Sequence, residues 1–305
     1  MKQNLFVILF ILLEIISTYS FGQNKVSPPS PCDDPLPSMF VPKDSALKNA
    51  KEFSQNRFLH KSKYSRIKTL CKIQDAPYAF IYNWDAINDL LNNKLQGIWV
   101  RLYFAMYTPT SNANFPGIED SSIVLLFTNN DKDPSEYYLI TKGNAVNVIL
   151  KDDGNKWRDI FEKVIQKELK KSINKGDSDN YFNKEFSDTK SIIYCRQDMI
   201  EAFIDEKNHQ MTHHNIDLAA FGVQLASYTR KGRAVTTENK LKYKKRLYVQ
   251  FQYLQKINGT FVPFYLDDQK DDYECRKLRR KPSNCPPNKY GALDNGHLCP
   301  TDCPI

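Results

Sequence analysis

Val100-Arg101-Leu102-Tyr103-Phe104-Ala105-Met106-Tyr107 alternates with a period of two, the spacing of a β-strand. Val100, Leu102, Phe104 and Met106 share its apolar face, and Arg101, Tyr103, Ala105 and Tyr107 share the other, so the strand is expected to be half-buried. Downstream, Thr108 to Asp120 is a loop rich in Pro, Asn and Gly, and Ser122 to Thr128 is a short apolar run. Tyr137 to Thr141 and Ala145 to Leu150 add two more strand signals around Lys142-Gly143-Asn144. Such short connections fit an antiparallel meander, because parallel strands need longer crossovers.

Upstream, Asp44 or Ser45 is a candidate cap for a helix to about Arg57, with Ala46, Leu47, Ala50 and Phe53 inward. Ala79 to Tyr82 is a short extended approach. Asn83 then precedes a helix from Asp85 to about Lys94 that buries Ile87, Leu90 and Leu91, with Gly97 as its left-handed stop. Beyond the meander, Asp152-Asp153-Gly154-Asn155 breaks the chain. Lys156 to about Ile173 resumes as a helix with Trp157, Ile160, Phe161, Val164, Ile165 and Leu169 on one stripe. A second helix is expected from about Lys190 to Glu206, then strands over Leu218–Thr229, Arg246–Gln255 and Thr260–Leu266, the last two joined by an Asn258-Gly259 turn.

The second half thus repeats the order of the first: helix, helix, then strands. Phe80-Ile81-Tyr82 and Asp85-Ala86-Ile87 echo Ile193-Tyr194 and Asp198-Met199-Ile200, and Val100-Arg101-Leu102 echoes Val223-Gln224-Leu225. The expected fold is α+β, an antiparallel sheet covered by helices in two similar halves, 43–155 and 156–270, with a Cys/Pro-rich tail over 271–305.

Residues 1–22 decide the compartment. A weakly positive start, an apolar Leu5–Ile16 interrupted by Glu14, and Ser20-Phe21-Gly22 before Gln23 have the layout of a secretory signal peptide. A Pro-rich leader over 23–42 follows, and no later segment is apolar enough to span a membrane. The protein is therefore expected to be exported, to the periplasm, the cell surface or the extracellular space. In an oxidising compartment the seven cysteines are read first as disulfides. Cys275, Cys285, Cys299 and Cys303 crowd a tail with no apolar periodicity of its own, which bridges would pin, in a pairing that spacing does not determine. The net charge of +8 comes with basic groups at Lys240–Arg246 and Arg276–Lys281 but with no nucleic-acid-binding motif. Solvated faces and no nucleic-acid partner are expected.

The stretch Ala79-Phe80-Ile81-Tyr82, the Leu90-Leu91 pair and Gly97-Ile98-Trp99-Val100-Arg101-Leu102-Tyr103 resemble a motif in small uncharacterised proteins of Bacteroidetes bacteria. Those carry a helix with paired leucines, a Gly-Ile-Arg-x-Tyr strand and, in some, a Cys-Pro-rich tail similar to Cys299-Pro300-Thr301-Asp302-Cys303-Pro304. Here Trp99-Val100 is inserted before Arg101. The resemblance implies export but no activity, cofactor or catalytic residue.

Three constellations could carry function. Arg101, Tyr103 and Tyr107 on the polar face of one strand suit recognition of carbohydrate or peptide. Cys195 at a helix start, with His213 or His214 and Asp217 downstream, has the residue types of a papain-like thiol hydrolase. His209, His213 and Asp217, four apart, would share a helix face as metal ligands, although Asn208 and Asn215 suggest a loop. The favoured expectation is a non-catalytic envelope or extracellular binding module without a cofactor. Its partner would be an envelope glycan or another exported protein.

Overall fold

The computed structural model describes residues 40–54, 80–129, 133–141, 143–167, 189–227, 247–264, 290–293 and 297–299. The signal peptide, most of the Pro-rich leader, both basic groups and the tail cysteines other than Cys299 lie outside them.

β1 (Phe40–Pro42) leads into α1 (Lys43–Lys51), which widens over 52–54. β2 (Phe80–Tyr82) is followed by α2 (Trp84–Asp89), which widens into an i→i+5 turn over Leu90–Lys94. The meander is β3 (Trp99–Met106), β4 (Ile123–Asn129), β5 (Glu136–Ile140) and β6 (Val146–Leu150). Then come α3 (Lys151–Ile160), widened over Phe161–Gln166, and β7 (Ser191–Cys195). α4 (Arg196–Ile200), widened over Glu201–Asp205, continues as α5 (Glu206–His214). β8 (Ala220–Ser227), β9 (Leu247–Ile257), β10 (Thr260–Pro263), β11 (Tyr290–Leu293) and β12 (His297–Cys299) complete the order.

The strands form two six-stranded sheets, every pair antiparallel: β12-β7-β3-β4-β5-β6, and β1-β11-β9-β8-β2 with β10 on β9. One eight-residue strand of each sheet, β3 in one and β8 in the other, takes one neighbour from the other half of the chain. β7 lies on β3 with Tyr194 opposite Val100 and Ile192 opposite Leu102. β2 lies on β8 with Tyr82 opposite Phe221 and Phe80 opposite Val223.

Following those ladders outward makes the two sheets correspond residue by residue. Leu102 faces Phe127 as Val223 faces Phe251, and the next strands bring in Tyr138 and Leu293. Beyond them lie Val148 and Phe40, each followed by Ile149-Leu150 or Val41-Pro42 and then a helix beginning Lys-Asp. Along those helices Gly154 corresponds to Ala46, Trp157 to Asn49 and Phe161 to Phe53, and all six are buried. In the inner helices Ile87, Leu90 and Leu91 correspond to Met199, Ala202 and Phe203, again all buried. The equivalence is slipped from the sequence echo: the ladders make Leu102, not Val100, the counterpart of Val223.

One core cluster joins the inner faces of both sheets, with Leu102, Phe104, Leu125 and Phe127 from one and Phe221, Val223, Val249 and Phe251 from the other. Phe203 wedges between Phe221 and Phe251, its ring centroid 4.7 and 4.9 Å from theirs. Cross-half hydrogen bonds fix the inner helices. Arg196 Nε donates to Leu91 O at 2.7 Å, and Trp84 Nε1 donates to Leu218 O.

Local chemistry explains the boundaries. Asn83 caps α2 by accepting from Ala86 N at 2.8 Å, as its residue type suggests. Asn215 ends α5 in the left-handed conformation, φ 53°. Asn258 and Gly259, both at positive φ, turn β9 into β10 as a two-residue hairpin.

Several expectations need correction. Gly97 is not a left-handed stop: α2's widened turn closes through Leu95 N to Leu90 O, and Gly97 N instead donates to Asn129 Oδ1. The α1 stripe is Ala46, Asn49 and Phe53, while Leu47 is 49 % exposed. Residues 191–195 are strand β7 rather than the start of a helix, because β-branched Ile192 and Ile193 complete the flank of β3. Asp152-Asp153-Gly154-Asn155 does not break the chain but is the first turn of α3, where acidic side chains favour the helix N-terminus.

Replacing Phe203 by Ala should cost about 3–5 kcal/mol in urea unfolding, the usual loss for a buried aromatic. Leu47→Ala should stay within about 0.5 kcal/mol, as expected of an exposed side chain.

Candidate functional site

Among the described residues, polar and aromatic chemistry concentrates where α3 crosses the outer face of β3. Arg101, Tyr103 and Tyr107 do share that face, but they are 1 %, 2 % and 0 % exposed. They are therefore not an open recognition platform. The correction has a physical cause: α3 covers that face, with Trp157 packed on the Tyr107 ring and the Arg158 guanidinium on the Tyr103 ring, while the polar tips of Tyr107 and Arg101 are met by Phe115 N and Ser191 Oγ.

Trp157 lies edge-on to Tyr107, centroids 5.1 Å apart, and its Nε1 donates to Thr108 O at 2.8 Å. Tyr107 Oη accepts from Phe115 N at 2.8 Å, tying the loop after β3 to the same patch. From the next residue of α3, the Arg158 guanidinium sits 3.7 Å from the Tyr103 ring centroid, within cation–π range. Its Nη1 donates to Tyr137 Oη at 2.6 Å and to Asn155 Oδ1 at 3.2 Å. Tyr137 Oη in turn donates to Asn155 Oδ1 at 2.5 Å. Arg101, on the same strand face, reaches Ser191 Oγ of β7 at 3.3 Å and lies 5.8 Å from the Tyr103 centroid.

Gly154 makes this closure possible. A Cβ there would fall inside the Tyr137 ring, so the helix backbone packs directly on that tyrosine. Burial raises the Tyr137 phenol above its ordinary value, opposed by the Arg158 guanidinium. The group therefore stays neutral and bonded. The cluster is chemically a clamp: no thiolate, carboxylate pair or free imidazole belongs to it. Tyr137, Asn155, Trp157 and Arg158 were not singled out from sequence as partners of Arg101 and Tyr103. The signal in the chain that could have found them is the Trp157-Arg158 pair at the start of the helix that follows the meander.

The other sheet carries a corresponding but different knot under α1. Asn49 Nδ2 donates to Tyr248 Oη at 2.8 Å. Gln250 Nε2 donates to Gln224 Oε1 at 2.6 Å and to Ala46 O at 3.2 Å.

The thiol-hydrolase constellation is not assembled. Cys195 is disulfide-bonded and 1 % exposed, at the N-terminus of α4. His213 and His214 end α5, at the far end of the same helical run rather than on a strand. At 1.5 Å per residue that run separates them from Cys195 by about 25 Å. The histidines are on a helix and not in a loop, and Asp217 lies past the left-handed Asn215 and is exposed. Among the described residues, no group of three or more His, Cys, Asp and Glu side chains is placed to hold a metal ion. Among them too, no helix is long and apolar enough to cross a membrane.

The chain matches no protein-family model, no curated protein and no solved structure.

Two measurements test the clamp. Gly154→Ala should destabilise the fold by about 1–3 kcal/mol in urea despite alanine's better helix propensity, because overpacking outweighs it. Alkaline titration addresses the tyrosines: burial raises Tyr82 and Tyr137, and burial with the Glu136 bond pushes Tyr138 up to about 12 from 10.0. The folded state then holds protons that the unfolded chain releases. Stability is thus full below pH 10.0 and falls as pH rises above it. Phenolate absorbance should show these tyrosines ionising only with cooperative unfolding.

Proposed function

We propose that the chain is an exported, non-catalytic binding module of the cell envelope or extracellular space, acting on an envelope glycan or another exported protein. The observation that carries this reading is the disulfide at buried Cys195. Disulfides persist in oxidising compartments and are rare in reducing ones, which agrees with the signal-peptide layout of residues 1–22. The resemblance to exported proteins of Bacteroidetes points the same way.

Support for binding rather than catalysis comes from how the candidate residues are used. Arg101, Tyr103 and Tyr107 are committed to the clamp under α3, and Cys195 is committed to a disulfide. What the fold offers to a partner is surface. Its exposed large apolar side chains include Val148 and Leu150 on β6, which suits a protein partner better than a glycan.

Expression of the full chain in a secreting host tests the compartment. The exported protein should begin at Gln23, and alkylation of the unreduced, denatured protein should leave Cys195 unlabelled. Met1 retained on exported protein, or all seven cysteines labelled, would contradict the reading.

A further inference from the structure

Among the described residues, β6 is the longest edge strand of either sheet. Among the described residues it pairs with β5 alone. The other edges are short or blunted: β1, β2 and β12 have three residues each, and β1 and β10 end in Pro42 and Pro263. β6 has five residues, Val146-Asn147-Val148-Ile149-Leu150, with no charge, proline or glycine. Natural sheets commonly guard such an edge with lysine, proline or a bulge.

The ladder shows which backbone groups are free to pair. Thr141 N donates to Ala145 O at 3.1 Å at the turn between β5 and β6. Alternation along an antiparallel pair then directs the groups of Asn147 and Ile149 toward β5, and those of Val146 and Val148 with the N–H of Leu150, the N-cap of α3, outward. The same three residues share a side-chain face. Val146 touches the joint core, while Val148 and Leu150 are 50 % and 54 % exposed. Outward hydrogen-bonding groups and exposed apolar side chains thus coincide on one strand.

We propose that β6 pairs antiparallel with β6 of a second copy of this chain, about a two-fold axis at Val148. Val148 then faces Val148 and exchanges both backbone hydrogen bonds with it, and Val146 faces Leu150. That register uses only the outward groups and lays the exposed apolar residues against one another. It brings no like charges together. Lys151 would face Ala145 of the other copy, and its own charge is already met by Asp133 at 2.5 Å. An uncharged strand offers nothing to select an acidic or basic peptide, whereas its own sequence is complementary to it. The proposal deepens the binding reading by naming the partner, and it does not depend on export.

The test is sedimentation velocity of the disulfide-intact chain from Gln23, over about 1–100 μM, the range in which a micromolar dimer would show. The expected result is a dimer whose Val148 amide gains hydrogen-exchange protection with concentration. Val148→Lys should weaken that dimer at least about tenfold with the melting temperature unchanged, since an edge lysine blocks pairing. Met211→Lys, an equal charge added at another exposed position, should leave it intact. If the lysine variant fails to fold, the concentration dependence of the wild-type amide decides alone. A monomer throughout, a dimer indifferent to Val148→Lys, or a dimer that survives unreduced denaturing electrophoresis would each overturn the proposal. The N-terminus and thiol count are read separately, so such a result leaves the export reading standing.

Discussion

β3 and β8 each need a neighbour that their own half of the chain does not provide. A buried strand must satisfy its backbone N–H and C=O groups on both sides, and β3 is buried along nearly its whole length. Its own half covers one flank with β4, and the other half covers the second with β7. β8 is completed by β9 and, from the first half, β2. This reciprocal exchange of short strands places the two inner helices between the sheets and fuses their inner faces into one core. Without it, β3 and β8 would each be left with an open flank.

The outer faces are where the two sheets differ. Gly154 and Ala46 occupy equivalent positions, both small enough to let a helix lie close to a sheet. Above one lies a clamp of tyrosines and arginines; above the other, a network of Asn49, Tyr248, Gln250 and Gln224. Trp157 replaces Asn49, and Tyr103 replaces Gln224, so the two solutions differ in chemistry and agree in placement. The residues that looked suited to ligand recognition hold a helix down instead.

Much of this was legible in the chain because strands and hairpins advertise themselves locally. The alternation of residues 100–107 predicted the faces of β3 correctly, and Asn258-Gly259 predicted its hairpin. The fold class, an α+β arrangement of antiparallel sheet and helices, was readable for the same reason. What was not legible depends on distant partners. Ile192-Ile193 matches a helix stripe or a strand equally well, and only the open flank of β3 decides between them. The burial of Arg101 needs Ser191, ninety residues away, and that of Tyr103 needs Arg158. Gly154 resembles a turn residue until the Tyr137 ring explains it. The candidate sites failed for a related reason: Cys195 and His213 are close in kind but lie at opposite ends of one helical run.

Interlocking predicts a single cooperative unit, and native-state hydrogen exchange tests it most directly. Amides in the β7–β3 and β2–β8 ladders should exchange with the same opening free energy and the same dependence on denaturant, equal to that of global unfolding. If the amides of one sheet open at clearly lower denaturant while the other sheet stays protected, the halves are independent and the exchanged strands do not hold the fold together.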